Sequence, residues 1–335
     1  MLPTIDLTAF RLDPTSADGR AVADQLRDAC HSPGFCYVTG HGVEPAVDTA
    51  LFEQMRLFFA LDDSARRALA IERSAAFRGY TITGDERTND RVDWRDQLDY
   101  GPEQVAPSDP TGVPAWHRLR GPNQWPPELP SLSPAALAWM DAVTGVGVTS
   151  IRALAVALGL AIDHFDAMFV PDSDVHVKLI RYPADSASGQ GVGPHHDSGL
   201  LTFIAQDPDQ VGRGLQVLVD GEFVDAPPLP GSYVMNLGEM LQRATGGYLQ
   251  ATPHRVMSPG DGAPERLSAA LFFNPRFESV FEALPIEFTA DAGADEPIDV
   301  AGEPILASFG ENNLKVRLRS HPDVAARHYP DVHTA

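Results

Sequence analysis

The chain has 335 residues, of which 43% are hydrophobic and 21% charged, a globular composition with ample length for a large core. Its formal net charge at pH 7 is −21 and its sequence pI is about 4.7, so its field repels nucleic-acid backbones and anionic membranes. We therefore expect neither nucleic acid nor a membrane as a partner.

The sequence also lacks obvious targeting segments. No stretch approaches the roughly 18 to 20 uncharged apolar residues needed to cross a bilayer. The N-terminus has no basic region followed by an apolar core, the pattern of a signal peptide. Cys30 and Cys36 lie too close together to staple a chain of this length, and we expect both to be reduced. A cytoplasmic protein is the resulting expectation.

The N-terminal third is predicted to mix helices and strands. Helical periodicity covers residues 21–30, and a compact aromatic and β-branched run at 34–38 predicts a strand. A second amphipathic helix is predicted over 47–60. From 73 to about 130 the sequence is irregular and rich in Gly, Pro and Asp, as in the long loops that often carry function.

The remainder is predicted to be one long helix followed by many short strands. Ser133-Pro134 is a suitable helix start, and the apolar pattern continues to Leu158, with Gly159 as a stop signal. Asp220-Gly221 is typical of a hairpin turn. The predicted strands cover residues 177–182, 200–206, 215–219, 233–237 and 267–273. Such strands, separated by Gly and Pro, indicate a barrel or a double-sheet jelly roll.

The densest group of potential metal ligands is Pro194-His195-His196-Asp197, just before a predicted strand. Side chains two positions apart in an extended segment point the same way, so His195 and Asp197 can face one metal ion. His196 is an alternative ligand, but its spacing does not place it on the same face as Asp197. A His-X-Asp triplet alone is weak evidence, because both residues are common at turns.

His254 is the best placed third ligand among the eleven histidines. Two histidines and a carboxylate form the facial triad of non-haem Fe(II) oxygenases, which leaves coordination positions open. Arg266 and Ser268 follow it, again two positions apart on a predicted strand. An arginine beside a hydroxyl is a good clamp for a carboxylate, because its guanidinium binds both oxygens.

These motifs resemble those of the isopenicillin N synthase-like branch of the Fe(II)- and 2-oxoglutarate-dependent dioxygenases. The pattern of that family is His-X-Asp, a distant His and then Arg-X-Ser. The matching segments, in chain order, are GFCYVTGHGV, FRGY, GPNQWP, LIRYP, PHHDSGLLTFIAQD, MNLGEMLQRATGGYLQATPHRV and ERLSAALFFNP. Together they extend over about residues 1–280, which makes the combination far more specific than any one segment.

The resemblance implies an α+β fold with a double-stranded β-helix (jelly-roll) core, supporting helices and one long backbone helix. It implies one integrated unit in three parts. Residues 1–125 would form an N-terminal α/β region packed on the core, and 126–280 the jelly-roll core with its backbone helix. Residues 281–335 would form a C-terminal extension, a candidate lid over the active site.

The resemblance also implies roles for individual residues. Fe(II) would be bound by His195, Asp197 and His254. The distal carboxylate of the co-substrate 2-oxoglutarate would be held by Arg266, Ser268 and Tyr182. With O2 as the second co-substrate, the enzyme would oxidise a small molecule by hydroxylation, desaturation or cyclisation and release succinate and CO2.

Substrate contacts are predicted only from position in the family pattern. The candidates are Arg78, Tyr80, Gln97, Tyr100, Phe273 and Phe277. Ordinary core packing is an equal alternative for the aromatic ones. The sequence identifies neither the substrate nor the oligomeric state.

Two other activities fit the same ligands. An oxidase of the isopenicillin N synthase type would use the arginine, serine and tyrosine for its substrate's carboxylate and would need no 2-oxoglutarate. A non-redox zinc protein can also use two histidines and a carboxylate. The clamp residues Arg266 and Ser268, with Tyr182, argue against the zinc protein.

Overall fold

The computed structural model describes residues 1–88, 91–170, 173–183, 189–209, 214–260, 262–289 and 303–332. Residues 290–302 and 333–335 of the predicted C-terminal extension lie outside this description. The strands are β1 Thr4–Asp6, β2 Phe35–Thr39, β3 Gly79–Thr81, β4 Arg87–Thr88, β5 Arg91–Val92, β6 Asp96–Tyr100, β7 His176–Tyr182, β8 Gln190–His195, β9 Leu201–Gln206, β10 Leu215–Val219, β11 Glu222–Asp225, β12 Tyr233–Leu237, β13 His254–Met257 and β14 Arg266–Phe273. The α-helices are α1 Thr8–Leu12, α2 Ala17–His31, α3 Pro45–Phe59, α4 Asp63–Arg67, α5 Leu132–Ala157, α6 Glu239–Ala244, α7 Phe309–Ser320 and α8 Pro322–His328. Short 3-10 helices lie at Ile71–Arg73, Ala115–Leu119 and Asp166–Met168.

Two sheets face each other to form the jelly-roll core. The larger has eight strands in the order β1-β2-β12-β9-β14-β7-β6-β3, and the smaller has four in the order β11-β10-β13-β8. All pairs in both sheets are antiparallel except β1 with β2. The predicted turn at Asp220-Gly221 joins β10 to β11, and both residues have positive φ, of 51° and 82°. The α+β jelly-roll prediction is therefore confirmed.

The N-terminal region contributes strands to both edges of the larger sheet. β1 and β2 extend it beyond β12, while β3 and β6 extend it beyond β7. The segment from 73 to 130, predicted as irregular, thus contains strands. β6 escaped prediction because its sequence, DQLDY, is mostly polar although every one of its five residues is buried.

The long predicted helix is present as α5 and packs beneath the larger sheet. It contacts α2, α3 and β14, and it approaches β14 so closely that a Cβ on Gly147 would lie 2.3 Å from the Phe273 ring. By length and composition α5 could cross a membrane, although Asp141 and Arg152 interrupt it, so it is not one uncharged stretch. More than half of its most apolar window, 56%, is buried inside the protein, as in the core helix of a globular fold.

The C-terminal segment forms helices that the sequence did not predict. The buried side of α7 includes Phe309 and Leu314, and α8 follows it directly. Arg118 holds the segment after α8 against the rest of the protein, because its guanidinium donates to both carboxylate oxygens of Asp331 at 2.7 and 2.6 Å. His321 is buried between these helices and the cavity described below.

Candidate active site

A cavity of about 820 Å³ lies between the two sheets. Its floor is formed by alternate residues of β7 and β14, because every second side chain of a strand points to the same face. Val192 and Val256 line it from the smaller sheet, and α7 covers it with residues at helical spacing. The residues of α7 in its wall are Asn313, Val316, Arg317, Arg319 and Ser320.

Three potential metal ligands converge at one side of this cavity. The pairing of β13 with β8 places His254 directly opposite His195, with ring centroids 4.2 Å apart. Asp197 follows β8 at the turn into β9. The ligand atoms of His195, Asp197 and His254 all lie within 4.8 Å of one another. This spacing is that of a single metal-ion site.

The hydrogen bond of each imidazole ring leaves its Nε2 atom free to bind a metal ion. Nδ1 of His195 lies 2.9 Å from the carbonyl of Gly193, and Nδ1 of His254 lies 3.3 Å from that of Thr252. Each Nδ1–H therefore donates to the backbone, and each Nε2 keeps its lone pair for a metal. Burial lowers the pKa of both rings, that of His254 to about 4, so both are in the neutral, metal-binding form at pH 7.

Asp197 is held so that one carboxylate oxygen faces the two histidines. Its Oδ1 lies 3.8 Å from Nε2 of each histidine. Its Oδ2 accepts hydrogen bonds from the Thr202 hydroxyl at 2.5 Å and from the Asn236 amide at 2.7 Å. Burial opposes ionisation, but the imidazoles and these hydrogen bonds lower the pKa of Asp197. The donor set of two neutral imidazoles and one carboxylate oxygen fits Fe(II).

The predicted carboxylate clamp lines the same cavity. Arg266 is 3% exposed, and its guanidinium donates to Gln206 Oε1 at 2.8 Å and lies 3.5 Å from the Ser268 hydroxyl. The guanidinium carbon lies 5.0 Å from the centre of the Tyr182 ring, which is opposite it in the β14–β7 pairing. Burial lowers the pKa of Arg266. No carboxylate among the described residues lies within 4.0 Å of this guanidinium. The carboxylate of a ligand would therefore supply the charge partner of Arg266.

The six predicted substrate contacts do not line this cavity. Tyr80 and Tyr100 bond Asp96 and the carbonyl of Ala136 from within the core. Gln97 is fully buried and donates to Asp99, and Phe273 stacks on Phe169 beside α5. The remaining two, Arg78 and Phe277, line only a small neighbouring cavity. The structure thus gives no support to these six as walls of the main cavity.

Residues other than these six form the walls of the main cavity. Phe272, one residue before the predicted Phe273, lines the cavity wall. Glu86, Arg95, Lys178 and Arg317 are among the charged side chains that line it. Lys178 is the one that the sequence signals, because it shares the two-residue period of Ile180 and Tyr182 in the strand HVKLIRY.

Comparison with protein families identifies two matching regions. Residues 2–128 match the N-terminal region described as non-haem dioxygenase in morphine synthesis, and residues 173–275 match the 2OG-Fe(II) oxygenase superfamily. The second region contains the triad and the arginine–serine pair.

Individual relatives agree over nearly the whole chain. A 2-oxoglutarate-dependent dioxygenase, frbJ, of Dothideomycetidae sp. (strain 11243) is 31% identical over 99% of this chain and 93% of its own length. A homoarginine-6-hydroxylase of Arabidopsis thaliana is 32% identical over 85% of this chain and 88% of its own.

A solved structure shows the same architecture. The full-length Neurospora crassa protein crystallised with alpha-KG and thymine superposes with a TM-score of 0.74 at 25% identity, covering 94% of this chain and 97% of that one. Sequence, architecture and the converging triad agree, and the chain belongs to the Fe(II)- and 2-oxoglutarate-dependent oxygenases of the isopenicillin N synthase-like superfamily.

Proposed function

We propose that this dioxygenase binds Fe(II) through His195, Asp197 and His254 and holds the distal carboxylate of 2-oxoglutarate with Arg266, Ser268 and Tyr182. The observation that carries the proposal is the buried Arg266 guanidinium, which shares a cavity with the triad and has no carboxylate partner among the described residues. A buried charge of this kind is costly until a ligand compensates it.

Fe(II) in this site would supply O2 activation coupled to the decarboxylation of 2-oxoglutarate, giving succinate, CO2 and an oxidised substrate. The protein positions the reactants. Arg266 and Ser268 would hold one end of the co-substrate, while the Asp197 oxygen and the two Nε2 atoms would hold the metal, a donor set that leaves coordination positions for the co-substrates. The apolar side chains Val192 and Val256 exclude water around it.

The alternative oxidase uses the same ligands without 2-oxoglutarate. Relatives named as 2-oxoglutarate-dependent dioxygenases, and the solved relative with bound alpha-KG, favour the dioxygenase. The two differ in stoichiometry, because the dioxygenase forms one succinate for each O2 consumed in coupled turnover.

The test is succinate release from 2-oxoglutarate by the Fe(II)-loaded protein in air. We expect release that requires both Fe(II) and 2-oxoglutarate, and a loss of at least about a hundredfold in Asp197→Ala, because a missing ligand costs more than a missing ligand-orienting hydrogen bond. Asp209→Ala is the matched control, since Asp209 is exposed outside the cavity. Retained zinc with no Fe(II)-dependent succinate, or O2 consumption without 2-oxoglutarate, would contradict the proposal.

A further inference from the structure

The cavity has a second cationic end, distinct from the carboxylate clamp. Arg95, Lys178 and Arg317 line it, with side chains only 12, 10 and 14% exposed. Lys178 lies opposite Ala270 in the β7–β14 pairing, while Tyr182 lies opposite Arg266. Lys178 is therefore four residues, about 13 Å, from the clamp along the same face. The five-carbon chain of 2-oxoglutarate is shorter than this distance.

Nearby carboxylates do not fully compensate these cations. Glu86 lies 2.7 Å from Arg95 and 2.9 Å from Lys178. Although burial raises its pKa, these two cations hold it well below its usual value, so Glu86 is ionised and already engaged. Because Glu86 forms these two short ion pairs, Arg317 forms its ion pair with a different carboxylate.

The carboxylate paired with Arg317 is that of Asp99, whose short hydrogen bonds are made with other residues. Its Oδ1 lies 2.7 Å from Nε2 of His176, and its Oδ2 accepts from Gln97 at 2.7 Å. Arg317 reaches Asp99 only at 3.5 Å, which is its single ion pair within the described ranges. Arg78 bonds Nδ1 of His176 at 2.8 Å and has no carboxylate within salt-bridge distance in the same ranges.

The cations in the wall at this end are Arg95, Lys178 and Arg317, and their ion-paired carboxylates are Glu86, Asp93 and Asp99. Arg78 adds a fourth cation from the small neighbouring cavity, which Arg317 also lines. Because Arg78 has no carboxylate within salt-bridge distance among the described residues, the group has one more cation than ion-paired carboxylates. Because these cationic side chains are largely buried and Arg317 lines both cavities, the surplus favours an anionic ligand beside Arg317. Between the two cationic ends, the wall is apolar at Ile180, Ala270 and Phe272.

We propose that the primary substrate is a small carboxylic acid with an apolar body, whose carboxylate binds Lys178 and Arg317. The inference rests on the proposed function, because it assigns the clamp at Arg266 to 2-oxoglutarate. Arg317 supplies paired N–H donors that match the two carboxylate oxygens, and Lys178 supplies a point charge beside them. Since Arg317 lies on α7, the bound acid also joins this helix to the sheet below it.

The test is a titration of the protein loaded with Fe(II) and saturating 2-oxoglutarate in the absence of O2. The probes are hexanoate and indole-3-acetate, each compared with its own carboxamide. We expect at least one acid to bind more than about tenfold more tightly than its amide, the preference being carried by a partly buried charge pair. In Arg317→Gln the ratio of the two affinities should fall to near one.

Two variants control for altered folding. Arg317→Lys keeps the charge and should retain most of the preference, and Lys315→Gln removes a charge from α7 outside the cavity and should not change it. The inference is overturned if no acid binds more tightly than its amide, or if the preference survives in Arg317→Gln. Failure of the proposed function is a separate outcome, in which the wild-type protein does not bind 2-oxoglutarate in the loading step.

Discussion

The orientation of the Asp197 carboxylate depends on two side chains that are not themselves metal ligands. Asn236 and Thr202 lie directly opposite each other in the β12–β9 pairing, and both donate to Oδ2. Oδ1 is then left for the metal. Because hydrogen bonds of this kind fix the direction of a ligand, they affect metal affinity without contacting the ion.

Replacing Asn236 tests this arrangement. In Asn236→Ala we expect Fe(II) affinity to fall about 10- to 100-fold, because Asp197 keeps only the Thr202 hydrogen bond. The measurement is an anaerobic metal titration. Asn274→Ala is the control, since Asn274 lines the same cavity with no described hydrogen bond to a ligand, and its affinity should match wild type. Equal affinity in Asn236→Ala would show that Asp197 is oriented without it.

Spacing alone could predict residues that act within one strand, but not those that depend on pairing between strands. His195, Asp197, Arg266 and Ser268 follow from the two-residue period of extended chain. The residues that line the substrate cavity cannot be predicted from this period alone, because a shift of one residue along a strand turns each side chain to the opposite face of the sheet. Phe273 thus packs against α5, whereas Phe272 lines the cavity.

At the level of elements, α7 covers one side of the site, and the polar strand β6 supports that side through Asp99. β6 breaks the apolar pattern expected of a buried strand because its carboxylates face cations, Asp99 reaching Arg317 on α7 and Lys178 on β7. Hydrophobic periodicity could not predict such a strand. α7 escaped prediction for a related reason, since it carries charged residues into a buried wall.

A loop connection supports this region from the other side. Arg120 follows the 3-10 helix at Ala115–Leu119 and bonds Asp174 before β7 and Glu278 after β14. The hydrogen bond from Arg120 lowers the pKa of Glu278 to about 2. This value is below the ordinary glutamate pKa, so the ion pair stabilises the folded protein above about pH 4.5, and the stabilisation is lost as the pH falls toward 2.

Glu278→Gln should therefore destabilise the protein modestly at pH 7 and less at pH 3.5. We expect a difference below about 1 kcal/mol at neutral pH, because the Glu278 side chain is 38% exposed and solvent screens such a pair. Urea unfolding of both proteins at the two pH values is the measurement. A difference between the two proteins that stays constant with pH would show that Glu278 acts through packing rather than charge.

Over the whole molecule, an excess of acidic residues surrounds a cavity with two cationic ends. The net charge is −21, yet Arg266 lies at one end of the cavity and Lys178 with Arg317 at the other. The global fold was accessible from sequence because the triad and clamp occur in the order typical of the family, at or beside β8, β13 and β14. The surplus of cations was not, because its residues come from β7, α7 and the segments just before β3 and β6, which meet only in space.

The measurement that tests the central claim most directly is 2-oxoglutarate binding to the Fe(II)-loaded protein without O2, in wild type and Arg266→Leu. We expect metal affinity to be unchanged and 2-oxoglutarate affinity to fall by about 2 to 5 kcal/mol, at least about thirtyfold, because a buried charge pair loses one partner. Arg255→Leu, whose guanidinium stacks on Phe223 away from the cavity, should bind like wild type. Unchanged 2-oxoglutarate affinity in Arg266→Leu would contradict the assigned clamp.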